Sequence, residues 1–223
     1  DASHELKTPL ASIRLLTDSI LQSPSVDMDT VREFVADIGE EADRLTRISE
    51  HLLALTRLDA GAEREREPVE LGAVAEKVAH LLSPVARRAQ VELKVSVEPA
   101  CALAANEDDL YQVAFNLVEN AIKYNMPGGR VEVGVSRRGE KVALTVTDTG
   151  LGIPPDDLPK IFDRFYRVDK ARSRAAGGTG LGLSIARDTA RLHGGDITAG
   201  PNPAGRGTRF EAEFPALREE EGP

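Results

Sequence analysis

The sequence holds a single cysteine, Cys101, so no disulfide can form within the chain, which suits a reducing compartment. No Cys/His grouping has zinc spacing. No apolar run approaches the roughly 18 residues that a transmembrane helix needs, and no secretory leader pattern opens the chain. Positive charge is in the minority: 28 Lys and Arg stand against 37 Asp and Glu, a net charge of −9. With no basic stripe, that balance excludes a general nucleic-acid-binding role. No internal repeat is evident, and there is no initial Met. The chain begins inside a helical pattern, and the expectation is a piece of something longer. What remains is an ordinary soluble composition, 41% hydrophobic and 29% charged over 223 residues, with room for one or two domains.

The first stretch of interest is Ser3-His4-Glu5-Leu6-Lys7-Thr8-Pro9-Leu10. Leu6, Leu10, Ile13, Leu16 and Ile20 form one stripe at roughly 100° per residue, so residues 1 to about 22 read as a helix. His4 lies two residues before Leu6 and points roughly 160–200° from the stripe, toward solvent. Thr8 shares its face. Pro9 leaves the Glu5 carbonyl without its helical partner, which predicts a kink. Gln22-Ser23-Pro24-Ser25 is a turn signal. A second helix is predicted from about Asp29 to Leu58, with apolar positions at Val31, Phe34/Val35, Ile38, Ala42, Leu45, Ile48, Leu52, Leu55 and Leu58. Such a hairpin cannot enclose a core alone. Symmetric dimerisation into a four-helix bundle would complete it; packing on the rest of the same chain is the alternative. Residues 59–68 are polar, charged and aperiodic, and read as a linker.

From Val69 to about 215 the pattern mixes helices and strands. Helices are predicted over Leu71–Ala89, Asp108–Tyr124 and Leu181–His193. Strands are predicted over Val91–Val97, Val131–Ser136, Lys141–Thr147, Ile197–Ala199 and Thr208–Phe214, with a short one near Cys101–Ala104. Leu158 to Phe162 reads as a short helical turn. Without regular βαβ repetition, this is an α/β sandwich, with helices on one face of a mixed, mostly antiparallel sheet. The fold class is therefore α+β overall: an all-α hairpin, then the sandwich. Residues 216–223 read as an acidic tail.

Four blocks in the second domain carry chemistry. Asn116, Asn120 and Lys123 share one helix face, followed by Tyr124. Amide oxygens suit Mg²⁺ and a lysine suits phosphate, and paired asparagines in mid-helix depart from propensity. Asp148-Thr149-Gly150-Leu151-Gly152 follows a strand. Its carboxylate can accept from an exocyclic amine, and its glycines admit close approach. Ile161-Phe162-Asp163-Arg164-Phe165-Tyr166-Arg167 reads as an aromatic anchor before a mobile basic loop, a lid over phosphates in one reading and a solvated loop in the other. Gly177-Gly178-Thr179-Gly180-Leu181-Gly182 opens a helix whose N-terminus can hold phosphates. It is neither a Walker A motif nor a Rossmann fingerprint.

The opening block resembles the H box of bacterial sensor histidine kinases. The four later blocks resemble, in order and spacing, the N, G1, F and G2 boxes of their ATP-binding domain, a fold shared with type II topoisomerases and some chaperones. The resemblance covers nearly the whole chain: 1–58 as the dimerisation and phosphotransfer hairpin, 69–215 as the catalytic domain. It implies that His4 is the phosphoacceptor and Glu5 its base. Thr8 orients a water for dephosphorylating a response regulator. Asn120 binds Mg²⁺, with Asn116 beside it. Lys123 and Tyr124 face phosphates or ribose, Arg167 contacts the γ-phosphate, and Asp148 reads adenine. Gly150 and Gly152 shape the base pocket; Gly178, Thr179, Gly180, Leu181 and Gly182 frame the phosphate end. The implied ligands are ATP and Mg²⁺. The implied partners are a response-regulator receiver domain and a second copy joined through 1–58, with membrane attachment only through segments upstream. The piece itself is expected in the cytoplasm and the whole protein at the bacterial inner membrane. Lys7 stands where Arg is usual, and Asn125-Met126-Pro127 replaces a common Ser/Thr-Pro. Two rival readings are a degenerate, non-catalytic adaptor and another ATPase or serine kinase of the same superfamily. His51, His80 and His193 are assigned no chemistry, His193 lying at a helix C-terminus where a cation is favourable.

Overall fold

The computed structural model describes residues 2–22, 27–59, 65–168 and 179–217. The side chains of His4 and Glu5, the residue Gly178, most of the basic loop, residues 60–64 of the linker and residues 218–223 of the tail lie outside the described residues.

Two helices open the chain, α1 (Ala2–Gln22) and α2 (Met28–Asp59), packed together as a hairpin. Asp27 starts α2: its Oδ1 accepts from the backbone N–H of Asp29 (3.0 Å) and of Thr30 (2.9 Å), satisfying donors that the helix itself leaves orphaned. α1 runs continuously through Pro9. The apolar stripe is not closed in the single chain. Leu10, predicted to be buried, is 54% exposed, and Leu15, Leu21, Met28 and Val35 are exposed with it. Part of α2 packs on a later helix, α5 (Gly182–Leu192), and Arg44 and Ile48 of α2 are buried.

The second domain begins earlier than its periodicity suggests. Glu67 and Pro68, read as linker, belong to strand β1 (Glu67–Glu70), which pairs antiparallel with β3 (Ala102–Ala105). Likewise Asp59 still belongs to α2. Arg66 secures this boundary, its Nη2 donating to the Leu192 carbonyl (2.8 Å) at the C-terminal end of α5 (Gly182–Leu192), where a cation meets the negative end of the helix dipole.

The rest follows as α3 (Leu71–Arg88), β2 (Glu92–Val97), α4 (Glu107–Lys123), β4 (Arg130–Arg138), β5 (Lys141–Asp148), α5, β6 (Asp196–Pro201) and β7 (Thr208–Pro215). Five strands form one sheet in the order β2-β4-β5-β7-β6. Only β2 and β4 pair parallel; the other neighbours are antiparallel. Alternation makes one face apolar. Val142, Leu144 and Val146 of β5 and Phe210, Ala212 and Phe214 of β7 are all buried. They share a core with Val78, Leu82, Leu110, Leu117 and Ala186 of the helices. The opposite face carries Arg138, Lys141, Glu211 and Glu213, which pair across strands as Arg138–Glu211 and Lys141–Glu213, as expected of an antiparallel sheet wet on one side.

α4 is well specified by sequence. Asn106 caps it, accepting from Asp109 N (3.3 Å), acidic residues fill its first turn and Lys123 its last. His193, expected only at a helix end, does more. It is the C-cap of α5, it is buried, and its Nε2 lies 3.0 Å from Oδ2 of the buried Asp109. This pair ties the end of α5 to the start of α4.

Candidate functional site

The three helices do not cover the sheet evenly. Between α4, the end of β5, the turn region 151–168 and the N-terminus of α5 lies a cavity of about 990 Å³. That is at the upper end for small-molecule sites, which run ~300–1,000 Å³. Helix spacing places Asn116, Asn120, Lys123 and Tyr124 along its α4 wall. β5 delivers Asp148 at its end, and the following turn delivers Gly152. Arg167 enters from the segment before the basic loop, and Thr179, Gly180 and Gly182 from the approach to α5.

Two predicted residues belong to the frame rather than the lining. Gly150 serves Asp148 by donating its N–H to Oδ1 (2.8 Å). Leu181 is fully buried and packs with Ile185 and Phe165. Thr8 is exposed on α1, away from the cavity.

Among the lining residues that the sequence did not mark are Glu119, Tyr166, Arg206 and Thr208. Glu119 had a signal, since 116, 119, 120 and 123 follow helical three- and four-residue steps. Tyr166 adjoins Arg167, and its hydroxyl donates to Asp157 Oδ1 (2.6 Å). Arg206 and Thr208 come from the β6–β7 hairpin, remote in sequence from the rest.

That hairpin is fastened to Asp148. The Asp148 Oδ1 accepts from Thr208 N (3.2 Å), and its backbone carbonyl accepts from Asn202 Nδ2 (2.9 Å). Asp148 is buried, which pushes its carboxyl above the ordinary value of 3.8, while the N–H donors of Gly150 and Thr208 pull the other way. Gly207 makes the approach possible. Its φ is +116°, and a Cβ there would stand 1.9 Å from the Asp148 carbonyl oxygen. Gly207→Ala is therefore expected to lower stability by about 2–3 kcal/mol, from strain and forced displacement together. Urea unfolding checks this. Gly205→Ala, at φ +147° with open space around it, should cost less.

The donors fit a magnesium nucleotide. Asn116 is buried, and its Nδ2 has no hydrogen-bond partner among the described residues; a buried donor left so calls for a ligand or water. No group of three His, Cys, Asp or Glu among the described residues stands together as a metal cage. The lining's own hard oxygen donors for a Mg²⁺ shared with substrate phosphates would be the side-chain amides of Asn116 and Asn120. No helix among the described residues is long and apolar enough to cross a membrane.

Comparison with known proteins agrees with this geometry. Residues 105–218 match the family described as histidine kinase-, DNA gyrase B- and HSP90-like ATPase, and residues 1–61 match the His kinase A (phospho-acceptor) domain. The chain is 38% identical over 221 residues to the sensor-like histidine kinase SenX3 of Mycobacterium tuberculosis, covering 98% of this chain and 53% of SenX3. It is 34% identical over 231 residues to the sensor histidine kinase WalK of Bacillus subtilis, covering 99% of this chain and 36% of WalK. Among solved structures, full-length ShkA in complex with AMPPNP superposes with a TM-score of 0.73 at 29% identity, over 97% of this chain and 45% of ShkA. The chain thus spans about half the length of SenX3 and less of WalK.

Proposed function

The chain belongs to the sensor histidine kinase family, and from that premise we propose that it takes the γ-phosphoryl group of ATP onto His4 and passes it to an aspartate of a response-regulator receiver domain. One observation carries the reading. Asn116, Asn120, Lys123, Asp148 and Arg167 converge on one cavity, in a chain that also presents His4-Glu5-Leu6-Lys7-Thr8 on a helix.

The roles follow from residue chemistry. The neutral imidazole of His4 attacks phosphorus, and Glu5, the next residue, holds the other ring nitrogen and takes its proton. Asp148 accepts from the base. Lys123 meets phosphate oxygens, Arg167 meets the γ-phosphate, and Asn120, with Asn116 beside it, offers amide oxygen to Mg²⁺. Bound Mg²⁺ neutralises charge on the transferring phosphoryl group. Nucleophile and nucleotide stand on different domains, so the segment joining them sets their approach. The exposed Leu10, Leu15 and Leu21 of α1 and Met28 and Val35 of α2 support a second copy completing the bundle.

The test is incubation with [γ-³²P]ATP and Mg²⁺. Acid-labile, base-stable label that then moves to a receiver domain supports the proposal; acid-stable label points to a hydroxyl kinase instead. Absence of any label despite Mg-ATP binding points to an adaptor.

Thr8 stands one helical turn beyond His4 and is exposed. We assign it to water positioning in regulator dephosphorylation. Thr8→Ala is expected to keep autophosphorylation within about twofold while slowing regulator dephosphorylation by about 100-fold, the low end of the loss when a group positioned for proton transfer or water attack is removed. An unchanged dephosphorylation rate would remove that role.

A further inference from the structure

The cavity wall at residues 161–168 has no helix or strand ladder to fix it, yet it supplies Ile161, Tyr166 and Arg167 to the lining. It is nevertheless held in a costly shape. Phe165 has φ +67°, a conformation that non-glycine residues avoid and that persists only where surroundings impose it. Three of those surroundings are local. The Phe165 N–H donates to the Gly180 carbonyl (2.8 Å), Arg164 pairs with Asp188 of α5 (3.3 Å), and Tyr166 donates to Asp157.

A fourth reaches the sheet. Asp196, the first residue of β6, accepts a two-pronged contact from Arg187 of α5, through Nε (2.7 Å) and Nη2 (3.0 Å). Arg191 Nε (3.2 Å) and Ile197 N (2.9 Å) also donate to Asp196. The Arg187 guanidinium lies 4.7 Å from the centroid of the Phe162 ring. A forked ion pair fixes the guanidinium plane, and a fixed cation over an aromatic face restrains the ring. Neither Arg187 nor Asp196 lines the cavity.

We propose that Arg187 and Asp196 are positioning residues for the nucleotide site: Asp196 sets the Arg187 fork, Arg187 holds Phe162, and Phe162 thereby fixes where Tyr166 and Arg167 stand. The inference rests on the reading above, in which Arg167 meets the γ-phosphate. Asn116, Asn120 and Asp148 stand on α4 and β5, outside the Asp196–Arg187–Phe162 chain of contacts. Loosening it therefore weakens the γ-phosphate contact and leaves base recognition in place.

The experiment measures Kd for Mg-ATP and for Mg-ADP in the whole chain and in Arg187→Ala, Arg187→Lys, Asp196→Asn and Arg167→Ala, at a temperature where each is folded. In Arg187→Ala the ATP Kd is expected to rise about two- to fivefold, the range for a lost, partly exposed cation–aromatic contact. The ADP Kd should change less. Arg187→Lys keeps a cation and should recover part of the difference, and Asp196→Asn should follow Arg187→Ala in direction. Equal losses for ATP and ADP, or a lowered melting temperature with an unmoved ratio, would make the strut purely structural and overturn the inference. If Arg167→Ala also leaves the ratio unchanged, the γ-phosphate reading of Arg167 is wrong, and the inference falls with it. An altered ratio in Arg167→Ala but not in Arg187→Ala overturns the inference alone.

Discussion

His4→Gln is expected to incorporate no acid-labile phosphate, a fall of more than ~10³-fold, as found when an enzyme's nucleophile is removed. Glutamine keeps the polarity and about the reach of histidine. Its amide nitrogen, however, has no available lone pair and cannot attack phosphorus. The nucleotide cavity is built from residues 85–208 and receives nothing from α1. Mg-ATP affinity in His4→Gln should therefore stay within about twofold of the parent chain, which separates loss of the nucleophile from loss of the fold. Two of the other histidines offer no substitute. His193 is buried against Asp109, and His80 is an exposed residue of α3 with no acidic neighbour in sequence on either side. Surviving acid-labile label in His4→Gln would move the phosphoacceptor elsewhere.

The parts of this arrangement that sequence made legible are those governed by local geometry. Asn116, Asn120 and Lys123 share a helix face because three- and four-residue steps put them there, and they do line one wall. The alternation of Val142, Leu144 and Val146 gave β5 and its buried face, and so put Asp148 at a strand end. What escaped depends on partners distant in the chain. β1 is four residues with a proline among them, and only pairing with Ala102–Ala105 makes it a strand. Asp109 and His193 are 84 residues apart, and nothing local marks either as buried. Arg206 and Thr208 reach the cavity because the β6–β7 hairpin is fastened to Asp148. Leu10 fits a buried stripe by periodicity yet is exposed, because the surface that would cover it is not in the single hairpin.

Asp148→Asn carries the second large effect. Both backbone N–H groups, from Gly150 and Thr208, go to Oδ1, and the asparagine oxygen can still accept them. The other position becomes an NH₂ group, which would face the exocyclic amine of adenine donor to donor. Losing a charge-assisted bond and stranding a donor costs about 2–4 kcal/mol, roughly 30- to 1,000-fold in Kd for ATP. A 6-oxo purine presents an acceptor at that point, so GTP should lose less or gain. Titration with both nucleotides checks this, and parallel losses would remove Asp148 from base recognition. The pH dependence gives a separate check. Burial raises the folded-state carboxyl above its ordinary 3.8. Between 3.8 and the raised value the folded chain binds more protons than the unfolded one, so the Asp148 contribution to stability falls as pH rises through that window. Nucleotide binding runs the opposite way, because only the carboxylate accepts from the base, and ATP affinity falls as pH drops through the raised value. Asparagine does not titrate. The ratio of parent to Asp148→Asn affinities, in which the titration of ATP itself cancels, should therefore shrink on acidification, while Asp148→Asn loses the acid-side gain in stability.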